Sequence, residues 1–290
     1  MTRLFECARI AEEFLQWIRT EKDRLTHRPC LATLLHSPTA NEASVLYRNL
    51  ILKDAARLGL QARSFEAQNE DSLFALIHQI NRDPEITGVL TLYPLNLKTP
   101  DEDIMDMVSP LKDIEGLHSI NLGYLIKYKI FLDPVKKIKC VVPATGKAVV
   151  KLLHAYPEIR IKGAFVLIVN NSMRVGKPLG LMLENLGATV IKCYHETPAD
   201  VLEHSAKRAD IVITAVPRAD FRLNPDWIRD GAVVVDVSYK GNVDVNALQG
   251  KASFVTSPED RIGQVTRAMM FVNLIYCAQN DMANISSSLL

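Results

Sequence analysis

A chain of 290 residues, 48% hydrophobic and 23% charged, has the apolar mass for two cores of ordinary size and is too balanced to be disordered, fibrous or built of repeats. Its 34 basic and 33 acidic side chains leave a net charge of +1, so no global field draws it to nucleic acid or to anionic lipid, and only a local patch could do so. Five scattered cysteines, Cys7, Cys30, Cys140, Cys193 and Cys277, form no C-x-x-C pair and have no histidines at zinc-ligand spacing, so they read as reduced thiols of a cytoplasmic protein without a metal site.

The first stretch, Met1 to Arg24, sets Glu6, Glu12, Glu13, Glu21 and Asp23 among its apolar residues. The uninterrupted apolar segment of a signal peptide does not tolerate these charges, and the stretch reads as an amphipathic helix. Short apolar runs then alternate with longer amphipathic ones, the signature of βα units with parallel strands. Strands are expected near Cys30 to Leu35, Gln61 to Glu66 and Gly88 to Leu92, with helices near Glu42 to Leu58 and Asp71 to Asn81. Leu117 to Val142 has no clear period, and Gly146 to His154 reads as a helix leading into a second domain. There the strands are expected at Ala164 to Val169, Ala188 to Tyr194, Ala209 to Val216, Ala232 to Val237 and Ala252 to Thr256. Their Val, Ile and Ala content, with few charges, suits strands covered on both faces of a doubly wound sheet.

After Ile262, Thr266, Ala268, Met270, Leu274 and Ala278 recur at helical spacing, over a length that could pack back across both domains. The expected division is therefore 1–143, 144–280 and a tail, 281–290, whose last residues have little reason to be ordered. No apolar run approaches the roughly 18 residues that span a bilayer, and Asn284-Ile285-Ser286 would be a glycosylation triplet only in a secreted chain. No membrane partner is expected.

Three groups of residues could carry chemistry. The strand ending at Val169 runs into Asn170-Asn171-Ser172-Met173-Arg174-Val175-Gly176-Lys177-Pro178 and an apolar helix. Such a turn points backbone N–H groups over the sheet edge, where a dinucleotide pyrophosphate would sit, but it has one glycine where the usual G-x-G-x-x-G has three. The pattern alone does not separate a nucleotide site from a plain βα turn. Lys112-Asp113-Ile114-Glu115-Gly116 pairs two carboxylates with a lysine before a turn, and taken alone reads more readily as a solvated charged loop. Tyr47, on the helix after the first of these strands, reads more readily as a packing residue than as a ligand platform.

Taken together, Ala43-Ser44-Val45-Leu46-Tyr47, Gly88-Val89-Leu90 leading to Pro94-Leu95, Lys112 to Gly116 with Asn121 and Gly123, Pro143 and Thr145, Val175 to Pro178, and Ala209-Asp210-Ile211 resemble the methylenetetrahydrofolate dehydrogenase/cyclohydrolase family in order and spacing. The likeness runs from about Leu31 to Asn273. It implies an α/β protein of one-carbon metabolism, with an N-terminal three-layer α/β domain, a C-terminal Rossmann doubly wound parallel sheet, folate in a cleft between them, NAD or NADP on the second domain, and a homodimer. By the same resemblance Glu115 and Tyr47 are the catalytic candidates. The folate side adds Ile51, Leu92, Tyr93, Pro94, Asp113 and Gly263, and the cofactor side Asn170, Asn171, Ser172, Val175, Gly176, Pro178, His195, Val216, Pro217 and Thr266.

Departures from the family pattern refine this. Bifunctional members carry Tyr-x-x-x-Lys, whereas the fourth residue after Tyr47 is Ile51; Lys53 lies about 240° round the helix from Tyr47 and does not replace it. The family's glutamine after the third strand is Leu92. Both losses, with Glu115 in the K-D-V-E-G position, resemble the monofunctional NAD-dependent dehydrogenase branch. Asn171 and His195 stand where NADP users are expected to hold the 2′-phosphate, and Glu196 could accept from a ribose 2′-hydroxyl, which favours NAD; Arg174 and Lys177 are the opposing charges. Thr145-Gly146 replaces Thr-Pro, and Thr256 to Thr266 replaces a glycine-rich loop at the folate side. These last changes leave two alternatives: a folate- or nucleotide-binding protein that has lost its chemistry, and a redox enzyme of the same fold with another substrate.

Overall fold

The computed structural model describes residues 1–40, 42–135 and 138–282. The chain opens with β1 (Arg3–Leu4), α1 (Cys7–Lys22), β2 (Cys30–His36), α2 (Glu42–Leu58), β3 (Gln61–Ala67), α3 (Glu70–Arg82) and β4 (Gly88–Thr91). There follow α4 (Asp101–Met105), α5 (Ser119–Ile126), a hairpin of β5 (Phe131–Asp133) and β6 (Ile138–Lys139), and α6 (Ala144–His154). The second half comprises β7 (Phe165–Val169), α7 (Gly176–Asn185), β8 (Thr189–Cys193), α8 (Ala199–Arg208), β9 (Ile211–Thr214), β10 (Val233–Asp236), β11 (Phe254–Val255) and α9 (Gly263–Met282). The triplet at Asn284 and the expected tail from residue 283 on lie outside the described residues.

These elements form two compact units. Of the described residues, one holds Phe14–Ala144 and Arg267–Met282, and the other Met1–Glu13 and Thr145–Thr266. The first is built on the parallel sheet β3-β2-β4. Every residue of β2 is buried, because it is the central strand, whereas β3 is exposed over Gln61 to Ser64 along an open edge. Helix α2 buries Ile51, Ala55 and Leu58, one stripe at helical spacing. Helix α3 starts at a capping box in which Ser72 N–H donates to Asn69 Oδ1 (2.8 Å) and Asn69 N–H to Ser72 Oγ (3.0 Å), and it buries Leu73, Ile77 and Ile80 against Leu34, Val89 and Leu95.

The second unit is a six-stranded sheet of order β1-β11-β10-β9-β7-β8, parallel throughout. Numbered from β7, its last five strands run 2-1-3-4-5, a doubly wound order whose direction reverses between β7 and β9. Strands β9 and β10 are buried almost throughout, whereas the edge strand β8 is half-exposed. The core joins Leu167, Val169, Val212, Val234 and Val255 to Leu223, Ile228 and Leu248 from the connections.

The compact units group the two ends of the chain differently from the division expected from sequence. Met1 to Glu13 joins the second unit because Arg3 and Leu4 pair with Phe254 and Val255. Helix α9 passes to the first unit at Arg267. The stretch without a period, Leu117 to Val142, holds α5 and the hairpin, elements too short for periodicity to reveal.

Candidate active site

In the first unit the Lys112–Gly116 segment lies against β4, with Val89 N–H donating to Lys112 O at 2.7 Å. Lys112 Nζ donates to Ile80 O (2.9 Å) and Asp83 O (2.6 Å), capping the last turn of α3, so this lysine serves the helix end. Asp113 is buried and its carboxylate accepts from the N–H groups of Glu115 (3.1 Å), Gly116 (2.9 Å) and His118 (2.8 Å) and from Asn121 Nδ2 (3.2 Å). Burial pushes its carboxyl up against the opposing pull of these donors. With its lone pairs so engaged, Asp113 shapes the loop that carries Glu115.

Glu115 is buried and lines a cavity of about 10 Å³, room for roughly one water, together with Thr91, Tyr93, Met105 and Asp113. Burial, reinforced by the Glu115 charge, pushes the Tyr93 phenol well above its ordinary range. The loop is locked from two directions. Gly116 has φ +71°, and a Cβ there would lie 2.4 Å from Val142 C, so neither the turn nor the space admits another residue. Asn273 of α9, fully buried, donates through Nδ2 to Ile114 O (2.8 Å) and Val142 O (3.0 Å).

One turn earlier on α9, Met270 Sδ accepts from Tyr47 Oη at 3.3 Å, so α9 touches both the Tyr47 helix and the Glu115 loop. Tyr47 is half-buried on α2. Ile51, one turn on, is 0% exposed. Leu92 and Tyr93 are buried at the end of β4, and Pro94 is exposed.

In the second unit the turn after β7 sits at the reversal of strand order, where ligands of doubly wound sheets bind. Asn170 organises it: Oδ1 accepts from Ser172 N–H (2.8 Å), Ser172 Oγ (2.8 Å) and Gly176 N–H (2.9 Å), and Nδ2 donates to Ala215 O beyond β9 (2.8 Å). A Cβ on Gly176 would fall 2.1 Å from Asn170 O. Val175 N–H donates to Ser172 Oγ (3.2 Å) and Lys177 N–H to Ser172 O (3.0 Å). The N–H groups of Ser172, Val175, Gly176 and Lys177 are thus used inside the turn, which corrects the expectation that they point outward. Asn171 is half-buried, Pro178 is buried in the first turn of α7, and Ser172, Arg174 and Lys177 are exposed.

Beyond β9, Val216 is held by Asn242 at both main-chain groups: its N–H donates to Oδ1 (2.8 Å), and its carbonyl accepts from Nδ2 (3.1 Å). Asn242 N–H in turn donates to Asp236 Oδ2. Pro217 is exposed. After β8, His195 Nε2 and Glu196 Oε1 pair at 2.9 Å on the surface. Thr266 turns its hydroxyl back to Ile262 O (3.4 Å) and is buried.

Both altered segments are accommodated by packing. At Gly146 a Cβ would sit 3.0 Å from Met182 Sδ, so α6 packs closely against α7 there and a larger residue would require the Met182 side chain to shift. In the 256–266 loop Ser257 pairs with Glu259, Arg261 Nε donates to Pro258 O (2.7 Å), and Asp260 Oδ1 accepts from Ala8 N–H (2.8 Å) and Gln264 Nε2 (3.1 Å). Its charged side chains are bound within the unit, and half-buried Gly263 starts α9. Sequence reasoning missed Asn242 and Asn273 as positioning residues. A lone asparagine inside the apolar run Met269 to Ile275 was the available signal.

Two family models match the chain: "Tetrahydrofolate dehydrogenase/cyclohydrolase, catalytic domain" over residues 5–115 and "Tetrahydrofolate dehydrogenase/cyclohydrolase, NAD(P)-binding domain" over residues 143–282. The bifunctional protein FolD of Xanthomonas axonopodis pv. citri is 32% identical over 301 residues, covering 99% of this chain and 94% of the relative. The bifunctional FolD methylenetetrahydrofolate dehydrogenase/cyclohydrolase of Campylobacter jejuni superposes with a TM-score of 0.84 at 28% identity, covering 97% of this chain and 100% of that one. The NAD-dependent 5,10-methylenetetrahydrofolate dehydrogenase of Saccharomyces cerevisiae shares the fold with a TM-score of 0.87 at 24% identity, covering 98% and 99%.

Proposed function

The chain belongs to the tetrahydrofolate dehydrogenase/cyclohydrolase family, and from that premise we propose that it oxidises 5,10-methylenetetrahydrofolate to 5,10-methenyltetrahydrofolate by hydride transfer to a nicotinamide cofactor and does not hydrolyse the product. The observation that carries the second half is Ile51. One helical turn from Tyr47, where a lysine would serve hydrolysis, the chain has an aliphatic side chain sealed from solvent. Leu92, also buried and apolar, adds no group that could orient water.

Removing hydride from a carbon between two nitrogens requires no base, because the nitrogen lone pairs stabilise the cation that develops. The chain's work is then orientation and charge placement. Glu115, held by Gly116, Asn273 and the Asp113 hub, supplies a fixed carboxylate for that cation, and the half-buried ring of Tyr47 offers a face on which the folate can stack.

On the second unit the side chains of Asn171, Arg174 and Lys177 belong to the turn at the β7–β9 reversal, a set suited to a pyrophosphate. The Asn242-braced Val216, with Pro217 and Thr266, would form the rest of the cofactor's bed. A bound nicotinamide would accept the hydride. NAD is favoured over NADP: the exposed pairing of His195 with Glu196 after β8 adds a carboxylate beside the histidine expected on the ribose side, which supports a 2′-hydroxyl over a 2′-phosphate. Self-association as a homodimer is supported by the open, exposed edge of β3, and a cytoplasmic setting by five cysteines that are all free and buried.

The internally tied 256–266 loop favours one second reading, a folate-binding protein of this fold without turnover. Purified protein incubated with 5,10-methylenetetrahydrofolate and either NAD or NADP separates the two. Coupled appearance of reduced cofactor and persistent methenyl product, faster with NAD, is expected. Binding without reduction in a single turnover would establish the second reading.

A further inference from the structure

The described part of the chain exposes eleven large hydrophobic side chains, and five of them, Ile120, Ile126, Tyr128, Ile130 and Val135, fall on α5 and the hairpin that follows it. Ile126, Tyr128 and Ile130 are each 60–65% exposed and Val135 is 89% exposed. They interleave with Lys127 and Lys129, so that residues 126–130 form an uninterrupted exposed run of sequence Ile-Lys-Tyr-Lys-Ile. From Lys127 to Lys139 the sequence has five lysines against one aspartate, in a chain whose net charge is only +1. Overall charge balance thus conceals one strongly basic, strongly apolar segment.

Backbone conformation at its centre is a separate observation. Helix α5 ends at Lys127, and Tyr128 follows with φ +51°, a left-handed position that favours glycine. The turn is fully bonded, with Tyr128 N–H to Leu125 O (3.0 Å), Lys129 N–H to Tyr124 O (2.9 Å) and Cys140 N–H to Ile130 O (2.9 Å). It would close as well around a glycine. Nothing in the turn requires a tyrosine there, and its side chain is 60% exposed.

We propose that the surface formed by residues 126–130 docks on an anionic lipid bilayer, with Tyr128, Ile126 and Ile130 entering the headgroup region and the exposed Lys127 and Lys129 meeting lipid charge. Interleaved basic and aromatic or aliphatic side chains are the composition of peripheral membrane contacts. A second copy of the chain would bring lysines against lysines. Side chains standing so far out of the surface would need matching pockets on a folded partner, whereas a fluid interface accepts them without shape complementarity. The contact is peripheral, since no described helix is long and apolar enough to cross a membrane.

The test is co-sedimentation of the full chain with phosphatidylcholine vesicles, with and without about 30% phosphatidylserine. Wild type is expected to sediment with the anionic vesicles only, and to be released as salt rises from about 0.05 to 0.5 M. Lys127→Glu with Lys129→Glu should weaken partitioning about tenfold or more. Tyr128→Gly should weaken it severalfold while leaving Tm unchanged or raised, because glycine is the better residue for the turn, so lost binding cannot be attributed to misfolding. Equal sedimentation with neutral vesicles, none with either, or wild-type partitioning by the charge-reversed variant overturns the proposal. Capture by immobilised poly-glutamate without vesicle binding overturns it in favour of an acidic protein partner.

Discussion

Replacing Asn273 by leucine tests whether the Glu115 loop is positioned from α9. The substitution keeps side-chain size but removes the amide that donates to Ile114 O and Val142 O at 2.8 and 3.0 Å. Each carbonyl deprived of a buried donor costs about 1–3 kcal/mol, so the variant should lose about 2–6 kcal/mol, read as a lower urea midpoint at unchanged slope. Ile114 immediately precedes Glu115, and a displacement near 1 Å at a reacting group can cost roughly 10²-fold in rate. A fall in kcat of at least tenfold is therefore expected, with cofactor KM unchanged. The control lies on the same helix: Asn280 makes an equivalent clamp, accepting from Lys139 N–H and donating to Lys139 O, both at 3.0 Å, on the strand-hairpin segment. Asn280→Leu should cost comparable stability and leave kcat alone. Equal loss of kcat in the two variants, or wild-type turnover in Asn273→Leu, would show that the clamp stabilises the helix without positioning the carboxylate.

Glu115→Gln should lower hydride transfer by roughly 10²–10³ with nearly unchanged cofactor affinity, measured by steady-state kinetics, as removal of a transition-state charge does elsewhere. Added methenyltetrahydrofolate should decay at the buffer rate in the presence of the protein, and Ile51→Lys should restore little hydrolysis, because its ammonium would enter a site with 0% exposure and lack the second polar helper at Leu92. The folded protein should show no fast thiol toward a disulfide reagent at pH 8, and all five after unfolding. Burial pushes Cys7, with help from the Asp260 charge, and Cys140 up to about 12, so thiolate is scarce until the fold opens.

Strands β7, β9 and β10 were legible because parallel strands buried on both faces must be near-continuous runs of Val and Ile, a signal no loop imitates. Helix α2 is legible at both ends, Glu42 and Leu58, for the complementary reason that its buried stripe recurs at helical spacing. Strand β1 is not legible: two residues carry no period, and Arg3 is a strand residue only because Phe254 lies beside it. The same holds at the site. Glu115 and Tyr47 stand out through motif resemblance, but the part Asp113 plays depends on donors from Gly116, His118 and Asn121, whose convergence exists only after the loop has closed.

The turn after β7 illustrates how a weak motif can still encode a well-braced turn. Glycines in a dinucleotide fingerprint let the backbone turn sharply and approach a phosphate closely. Here one glycine, Gly176, remains, and the sharp turn is imposed by the Asn170 carboxamide, which gathers donors from Ser172 and Gly176 on one side and reaches Ala215 on the other. That bond ties the end of β7 to the end of β9, the two strands between which the sheet reverses direction. Asn242 repeats the device on Val216 and Asn273 on Ile114, each amide fixing main chain next to a candidate ligand contact. A side-chain amide offers a donor and an acceptor in one plane, and so can hold irregular backbone that neither helix nor sheet would satisfy. In this chain rigidity of the kind the proposed hydride transfer demands is supplied to loops by asparagines, Asn242 and Asn273 fully buried and Asn170 half-buried, which is why erosion of the glycine pattern does not by itself argue against a cofactor site.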